Sequence, residues 1–301
     1  MKLALVAAKD MGLWAAQILA ELGQGYEAGL LAVEDRNDPR STLADLEALA
    51  RQQKMSFSIV TGSADICQQL SDWNAECALA VGWLWNPTCE ELQALPGPVV
   101  VTRSAPLPRY RGGSPLVWMI LAGERDSGAS LMWADGSLDE GDLLDQEGFS
   151  LPPEADINDA ILACWLAIER MLRRSIPLLL SGERPRRPQP STPPLLCASR
   201  TDEDSWIDWN RGHGEILSLV RGLTHPYPGA RFRSALGEGR IFRAAAGVQV
   251  LAAPGSVVAQ TQQGPLIACG DGISLLALDG VEIERLRPGV RLLAPPEQAR
   301  P

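Results

Sequence analysis

Through its first hundred residues the chain alternates two hydrophobic periods, and that alternation restricts the folds open to it. Residues 3–7 are a short apolar run, after which Trp14, Ile18, Leu19 and Leu22 recur at helical spacing. Asp10 stands where a helix cap is expected and Gly23 where the helix should stop; residues 26–33 then read as a second strand. Thr42-x-x-Asp45 has the form of a capping box for a helix with Leu43, Leu46 and Ala50 on its apolar face. Met55, Phe57 and Ile59 alternate as a third strand, and residues 77–82 and 98–101 are further apolar runs bounded by turn residues. Strands that alternate with helices predict an α/β domain with a doubly wound, mostly parallel sheet. Ligands bind such sheets beyond the carboxyl ends of the strands, near the reversal of strand order, so the loop after Val101 is the place to look.

The 301 residues, 46% of them apolar, suffice for one large or two medium domains with buried cores. The longest apolar runs, such as residues 176–180, fall well short of the roughly 20 residues that span a bilayer. The start, MKLALVAAKD, has no signal-peptide cleavage pattern, so the expected location is cytoplasmic, with no membrane partner. Six cysteines (Cys67, Cys77, Cys89, Cys164, Cys197, Cys269) lack CxxC spacing, which predicts reduced thiols and no zinc site. The turn after the first strand, Ala7 to Gly12, lacks G-x-G-x-x-G, and no Gly-Lys-Ser/Thr ending occurs, which disfavours a dinucleotide or a P-loop phosphate.

Asp156 is placed to cap a helix carrying Ile157, Ile161, Cys164, Trp165, Ile168 and Leu172 on one face. Residues 182–194 hold five prolines and three arginines, a composition that favours extended chain. Beyond them, short apolar segments separated by glycine-bearing turns at 237–239, 262–264 and 270–272 suggest a small β-rich barrel. The expected organisation is therefore an N-terminal domain over 1–180, a proline-rich linker over 181–199 and a β-rich domain over 200–301. Residues 200–301 carry 11 basic and 11 acidic side chains, leaving 16 against 26 for residues 1–199. Nucleic-acid binders concentrate cations, so this distribution argues against a large RNA partner.

Between residues 99 and 142 the chain reads VVVTRSAPLPRYRGGSPLVWMILAGERDSGASLMWADGSLDEGD. Leu107-Pro108, Tyr110-Arg111-Gly112, Pro115-x-x-Trp118, Gly123-Glu124, Ser127-Gly128 and Asp139-x-Gly141-Asp142 fall in order. Farther on come Ile207-Asp208-Trp209, Val220-Arg221-Gly222-Leu223, Pro226-Tyr227-Pro228-Gly229-Ala230 and residues 266–272. Over nearly its whole length the chain thus resembles the folate-dependent formyltransferases, both the methionyl-tRNA and the amino-sugar branches.

The resemblance implies a formyltransferase fold, 10-formyltetrahydrofolate as formyl donor and a small-molecule amine, hydroxylamine or amino sugar as acceptor. It implies donor-binding roles for Gly82, Trp83, Leu84, Trp85, Asp135 and Asp139, and a substrate loop at Tyr110, Arg111 and Gly112. A homodimer stays open. The family opens the segment with Asn-x-His-x-Ser-Leu-Leu-Pro-x-Tyr-Arg-Gly, with Asn donating to the formyl oxygen, His managing charge and protons, and Asp orienting them. Here Val101 stands at the Asn position and Arg103 at the His position, and only Asp139 is retained. Loss of one oxyanion donor costs about 10²–10³ in rate, and loss of an acid or base about 10²–10⁴.

Two classes of function follow: a divergent enzyme with Arg103 and Asp139 as its catalytic residues, or a catalytically silent homologue that binds a folate, nucleotide or protein partner. Arg103 either presents its donors to an anion or pairs with Asp139 and fills the old site; its permanent charge excludes a role as base at neutral pH. Val101, ending a valine run, reads as sheet core. Asp139, beside Glu140 and Asp142, reads either as a site carboxylate or as part of a solvated turn. Trp83 and Trp85 either stack on a pterin or pack the domain. The two histidines, His213 and His225, lie far downstream and read as loop or surface residues.

Overall fold

A computed structural model describes residues 2–23, 25–38, 41–82 and 85–293. It divides into two compact units: Met1–Gly112, Asp126–Ser150 and Ala163–Leu196 form the first, and Gly113–Arg125, Leu151–Leu162 and Cys197–Pro301 the second.

The first unit opens with β1 (Lys2–Ala7), α1 (Lys9–Leu22), β2 (Glu27–Val33), α2 (Leu43–Gln53), β3 (Ser56–Val60), α3 (Ser63–Asp72), β4 (Cys77–Val81), α4 (Cys89–Ala94) and β5 (Val99–Arg103). After the short β6 (Arg111–Gly112) and α5 (Pro115–Leu121), which belongs to the second unit, come β7 (Asp126–Trp133) and β8 (Leu143–Ser150). Seven strands make one sheet in the order β3-β2-β1-β4-β5-β7-β8. The pairs from β3 to β5 are parallel, and β7 and β8 add an antiparallel edge. The order reverses between β1 and β4, whose residues are almost wholly buried, as strands covered on both faces must be.

Local chemistry sets several boundaries away from the expected ones. Ala8, not Asp10, is the N-cap of α1, and Asp10 lies in its first turn. Thr42 caps α2 without its hydroxyl, because its φ/ψ of −115°/20° is not the extended conformation that aims a cap oxygen at the helix. Thr88, extended at −70°/163°, does form a capping box with Glu91 at the start of α4. Strand β5 continues past Val101 to Arg103, so Arg103 is a strand residue and not a loop residue.

The chain goes on through α6 (Ile157–Leu180), β9 (Leu196–Cys197), α7 (His213–Leu223), β10 (Ala230–Ser234), β11 (Gly237–Gln249), β12 (Val257–Gln260), β13 (Pro265–Ala268) and β14 (Ile273–Val281). Asp156 caps α6, its Oδ1 accepting from the backbone N–H of Asn158 at 2.7 Å. The proline-rich segment is extended and tied to the first sheet: Arg187 bridges Leu143, and the Trp133 indole donates to the Pro185 carbonyl at 2.8 Å. In the second unit α7 starts at His213. The five-stranded antiparallel sheet runs β10-β11-β14-β13-β12, and Arg291 and Leu292 bridge to Ser256 and Ser234, giving a barrel-like closure. Among the described residues no helix is long and apolar enough to cross a membrane, and no cluster of three metal-ligating side chains forms.

Candidate functional site

Residues i and i+2 of a strand share a face, so Val101 and Arg103 project on the same side of β5. Val101 is 1% exposed, paired with Ala80 and Met132 across the sheet, and is core. Arg103 is 6% exposed, and its buried charge is matched group by group. Its Nε donates to Asp139 Oδ1 at 2.5 Å, Nη1 to the Thr102 carbonyl at 2.9 Å, and Nη2 to the Trp85 carbonyl at 3.3 Å. Nη2 also donates to Asn86 Oδ1.

Asp139 is 2% exposed and sits on the turn after β7 with φ at +57°, a conformation that Asp tolerates better than most residues. Its second oxygen accepts the Gly112 N–H at 2.9 Å, and its carbonyl accepts from Gln189 at 2.8 Å. Gly141 completes this turn because a Cβ there would lie 1.9 Å from the Trp133 carbonyl oxygen. The Asp-x-Gly-Asp spacing thus has a local cause: a carboxylate aimed inward and a backbone crossing too close for a side chain.

Structure brings Arg103, Asp139 and Gly112 into one network. Arg111, from the same segment as Gly112, turns to Glu140 at 2.9 Å and to Gln189 at 2.8 Å. Tyr110 is buried at 3% with φ at +62° and is a packed residue of the loop. Gly82 follows β4 with φ at +76°, and a Cβ there would meet the Ala8 carbonyl oxygen at 2.0 Å. Trp85 is 3% exposed, with its indole N–H on Ser63 Oγ at 2.9 Å, so it packs the domain in this structure. Asp135 is exposed and folds onto its own turn, accepting from the Ser137 N–H at 3.0 Å. Trp83 and Leu84 lie outside the described residues.

Both histidines belong to the second unit. His213 begins α7 with Nδ1 2.7 Å from Asp271 Oδ2, and the Asp271 carboxyl is held below its usual range chiefly by that contact. His225 is exposed and stacks on Phe242 with ring centres 4.1 Å apart. A cavity of about 570 Å³ opens at the amino ends of β1 and β2, lined by Lys2, Tyr26, Glu27, Lys54 and Trp73 among others. None of the Arg103 network lines it, and it lies at the wrong end of the parallel strands for the ligand crevice of such a sheet.

The residue that motif reasoning passed over is Asn86. It belongs to no sequence pattern; the one signal was an amide side chain immediately before Pro87, shortly after the apolar run at 77–82.

What this arrangement can do follows from its donors and acceptors. Arg103 stays charged and cannot take a proton at neutral pH. Asp139 has both oxygens already engaged. The pair can hold the Gly112 loop and the Trp85–Asn86 segment in place.

The family profile described as "Formyl transferase" matches residues 13–161, and that described as "Formyl transferase, C-terminal domain" matches residues 200–293. A methionyl-tRNA formyltransferase of Syntrophus aciditrophicus is 36% identical over 174 residues, covering 56% of this chain and 54% of the relative. The chain thus spans about half the length of the curated relatives it matches, such as this one. An N-formyltransferase from Helicobacter canadensis, solved with folinic acid and dTDP-3-aminofucose, superposes with a TM-score of 0.67 at 13% identity, covering 92% of this chain and 99% of that one. HypX from Aquifex aeolicus, solved with tetrahydrofolic acid, gives 0.63 at 16% identity over 92% of this chain and 43% of that one. At these identities the superpositions establish the fold.

Proposed function

The chain belongs to the formyl transferase family, and from that premise we propose that it passes the formyl group of 10-formyltetrahydrofolate to a small-molecule nitrogen nucleophile, at a centre rebuilt around Arg103 and Asp139. The observation that carries the reading is the buried Arg103–Asp139 pair: the carboxylate retained from the family motif is held by a cation in the histidine's place and still receives the Gly112 N–H. The relatives solved with folate compounds support the donor.

In the transfer, the acceptor nitrogen bonds to the formyl carbon, the carbonyl becomes an oxyanion, and the bond to N10 of the donor breaks. The proton lost by the acceptor finishes on N10. Neither Arg103 nor Asp139 is free to carry it, so the centre works by positioning and by hydrogen bonding. Paired with Asp139, the Arg103 guanidinium has its charge matched inside the network, so its part is to fix the groups around it. With no base to deprotonate it, the acceptor must arrive neutral. This favours a hydroxylamine or an amino sugar over an alkyl amine, whose pKa of about 10.4 keeps it protonated at neutral pH. Residues 200–301 carry no excess of cations, which supports a small acceptor over tRNA.

A catalytically silent homologue that binds a folate, nucleotide or protein partner is the second reading, favoured by the near-complete burial of Asp139. The two separate in one experiment, in which the protein is mixed with 10-formyltetrahydrofolate and a panel of amines, hydroxylamines and amino sugars while tetrahydrofolate release is followed. Release that depends on the acceptor is the expected result. Tight folate binding by calorimetry without release leaves the binder, and no folate binding removes the donor from both readings.

A further inference from the structure

We propose that Asn86 holds the formyl oxygen, an amide delivered from the loop after β4 in place of the one absent from β5; this rests on the formyl-transfer reading above. A guanidinium has donors and no acceptor, so the side chain facing Arg103 Nη2 must present Oδ1. The Nδ2 amine of Asn86 is therefore turned away from Arg103, whichever way an amide would otherwise be fitted.

Within the network, Arg103 gives four of its five N–H groups to Asp139, Thr102, Trp85 and Asn86, the Gly112 N–H is spent on Asp139, and the Arg111 Nε is buried with no partner among the described residues. The Gln189 amine is shared between the carbonyls of Asp139 and Gly141 at 2.8 Å each. Asn86 is exposed, and its Nδ2 has no partner among the described residues. It is the network's open amide donor, and it stands beside the strand end where the family motif puts its asparagine.

An amide whose oxygen accepts from a cation is polarised, so its N–H groups donate more strongly. Pro87, buried next in sequence, restricts Asn86 to extended backbone, which limits the loop's freedom. Arg103 is then a positioning residue, and Asn86 the group that touches the reacting carbonyl.

The test compares the wild type with Asn86→Ala and Asn86→Asp in binding two probes, tetrahydrofolate and a non-transferable 10-formyl analogue with carbon replacing N10. Asn86→Asp keeps, and strengthens, the contact with Arg103 while removing the donor, so it separates the proposed role from a structural one. The wild type is expected to prefer the formyl probe by about tenfold, the worth of one hydrogen bond, and both variants to lose that preference while binding tetrahydrofolate as before. In turnover, kcat should fall by about 10²–10³ with KM for the acceptor little changed. Variants that keep both the preference and kcat overturn the role of Asn86 and leave formyl transfer standing. A wild type that binds neither probe and releases no tetrahydrofolate overturns the formyl-transfer reading, and this inference with it.

Discussion

Replacing Arg103 by leucine should be among the most damaging single changes in the first unit. It removes the donors to Asp139, Thr102, Trp85 and Asn86. The carboxylate of Asp139, a residue 2% exposed, then keeps the Gly112 N–H alone among the described residues. Breaking a buried pair from one side costs about 3–5 kcal/mol, because the remaining charge has lost both water and partner. At roughly 2–4 °C per kcal/mol for a unit of this size, the melting transition should drop by roughly 6–20 °C. Asp139→Asn, which tolerates the positive φ, should destabilise from the other side. The double variant should cost less than the sum of the singles, with a coupling of about 0.5–3 kcal/mol. The assay is differential scanning calorimetry of all four proteins in one buffer. A shift below about 2 °C for Arg103→Leu, or strict additivity, would refute the claim that this pair is buried and mutually dependent.

Gly82→Ala should cost about 1–3 kcal/mol, since it pairs a positive φ with a Cβ 2.0 Å from the Ala8 carbonyl oxygen; an unchanged urea midpoint counts against that close approach. In the second unit, His213 holds the Asp271 carboxyl below its ordinary value, so this carboxylate stabilises the fold at neutral pH and the contribution is lost as pH falls through the carboxylate range. The stability gap between wild type and Asp271→Asn should therefore narrow between about pH 5 and pH 3, and a gap independent of pH rejects the linkage. Burial pushes the Cys77 thiol up to about 11 and those of Cys164 and Cys269 up to about 12, whereas Cys89 is exposed. A thiol reagent applied to the native protein should label Cys89 first, and fast labelling of Cys164 would contradict its burial.

Much of the fold was legible because its cause is local. Leu3, Leu5, Leu30 and Leu79 sit in buried strands at the positions their apolar runs indicate, and Asp156 caps its helix as its position suggests. Where reading failed, a conformation intervened: Thr42 has the residue type for a cap and not the φ/ψ, whereas Thr88 has both. Trp85 could be read as a ligand platform or as core, because an indole suits either; its buried N–H on Ser63 identifies it as packing in this structure. Asn86 carried no pattern at all.

By itself, then, the sequence determined that this chain builds a doubly wound sheet followed by a β-rich unit, and that its likeness to the family motif in the first unit starts at Leu107 and Pro108, with Val101 and Arg103 before it. Those properties follow from hydrophobic period and residue order, which are written along the chain. Only the tertiary structure decided what Arg103 does. Its partners come from 17 residues before it and 36 residues after it, brought together because β4 and β7 flank β5 in the sheet. A guanidinium left in water could have served as an open anion site; enclosed among a carboxylate, two carbonyls and an amide oxygen, it becomes the brace that turns the Asn86 amine outward.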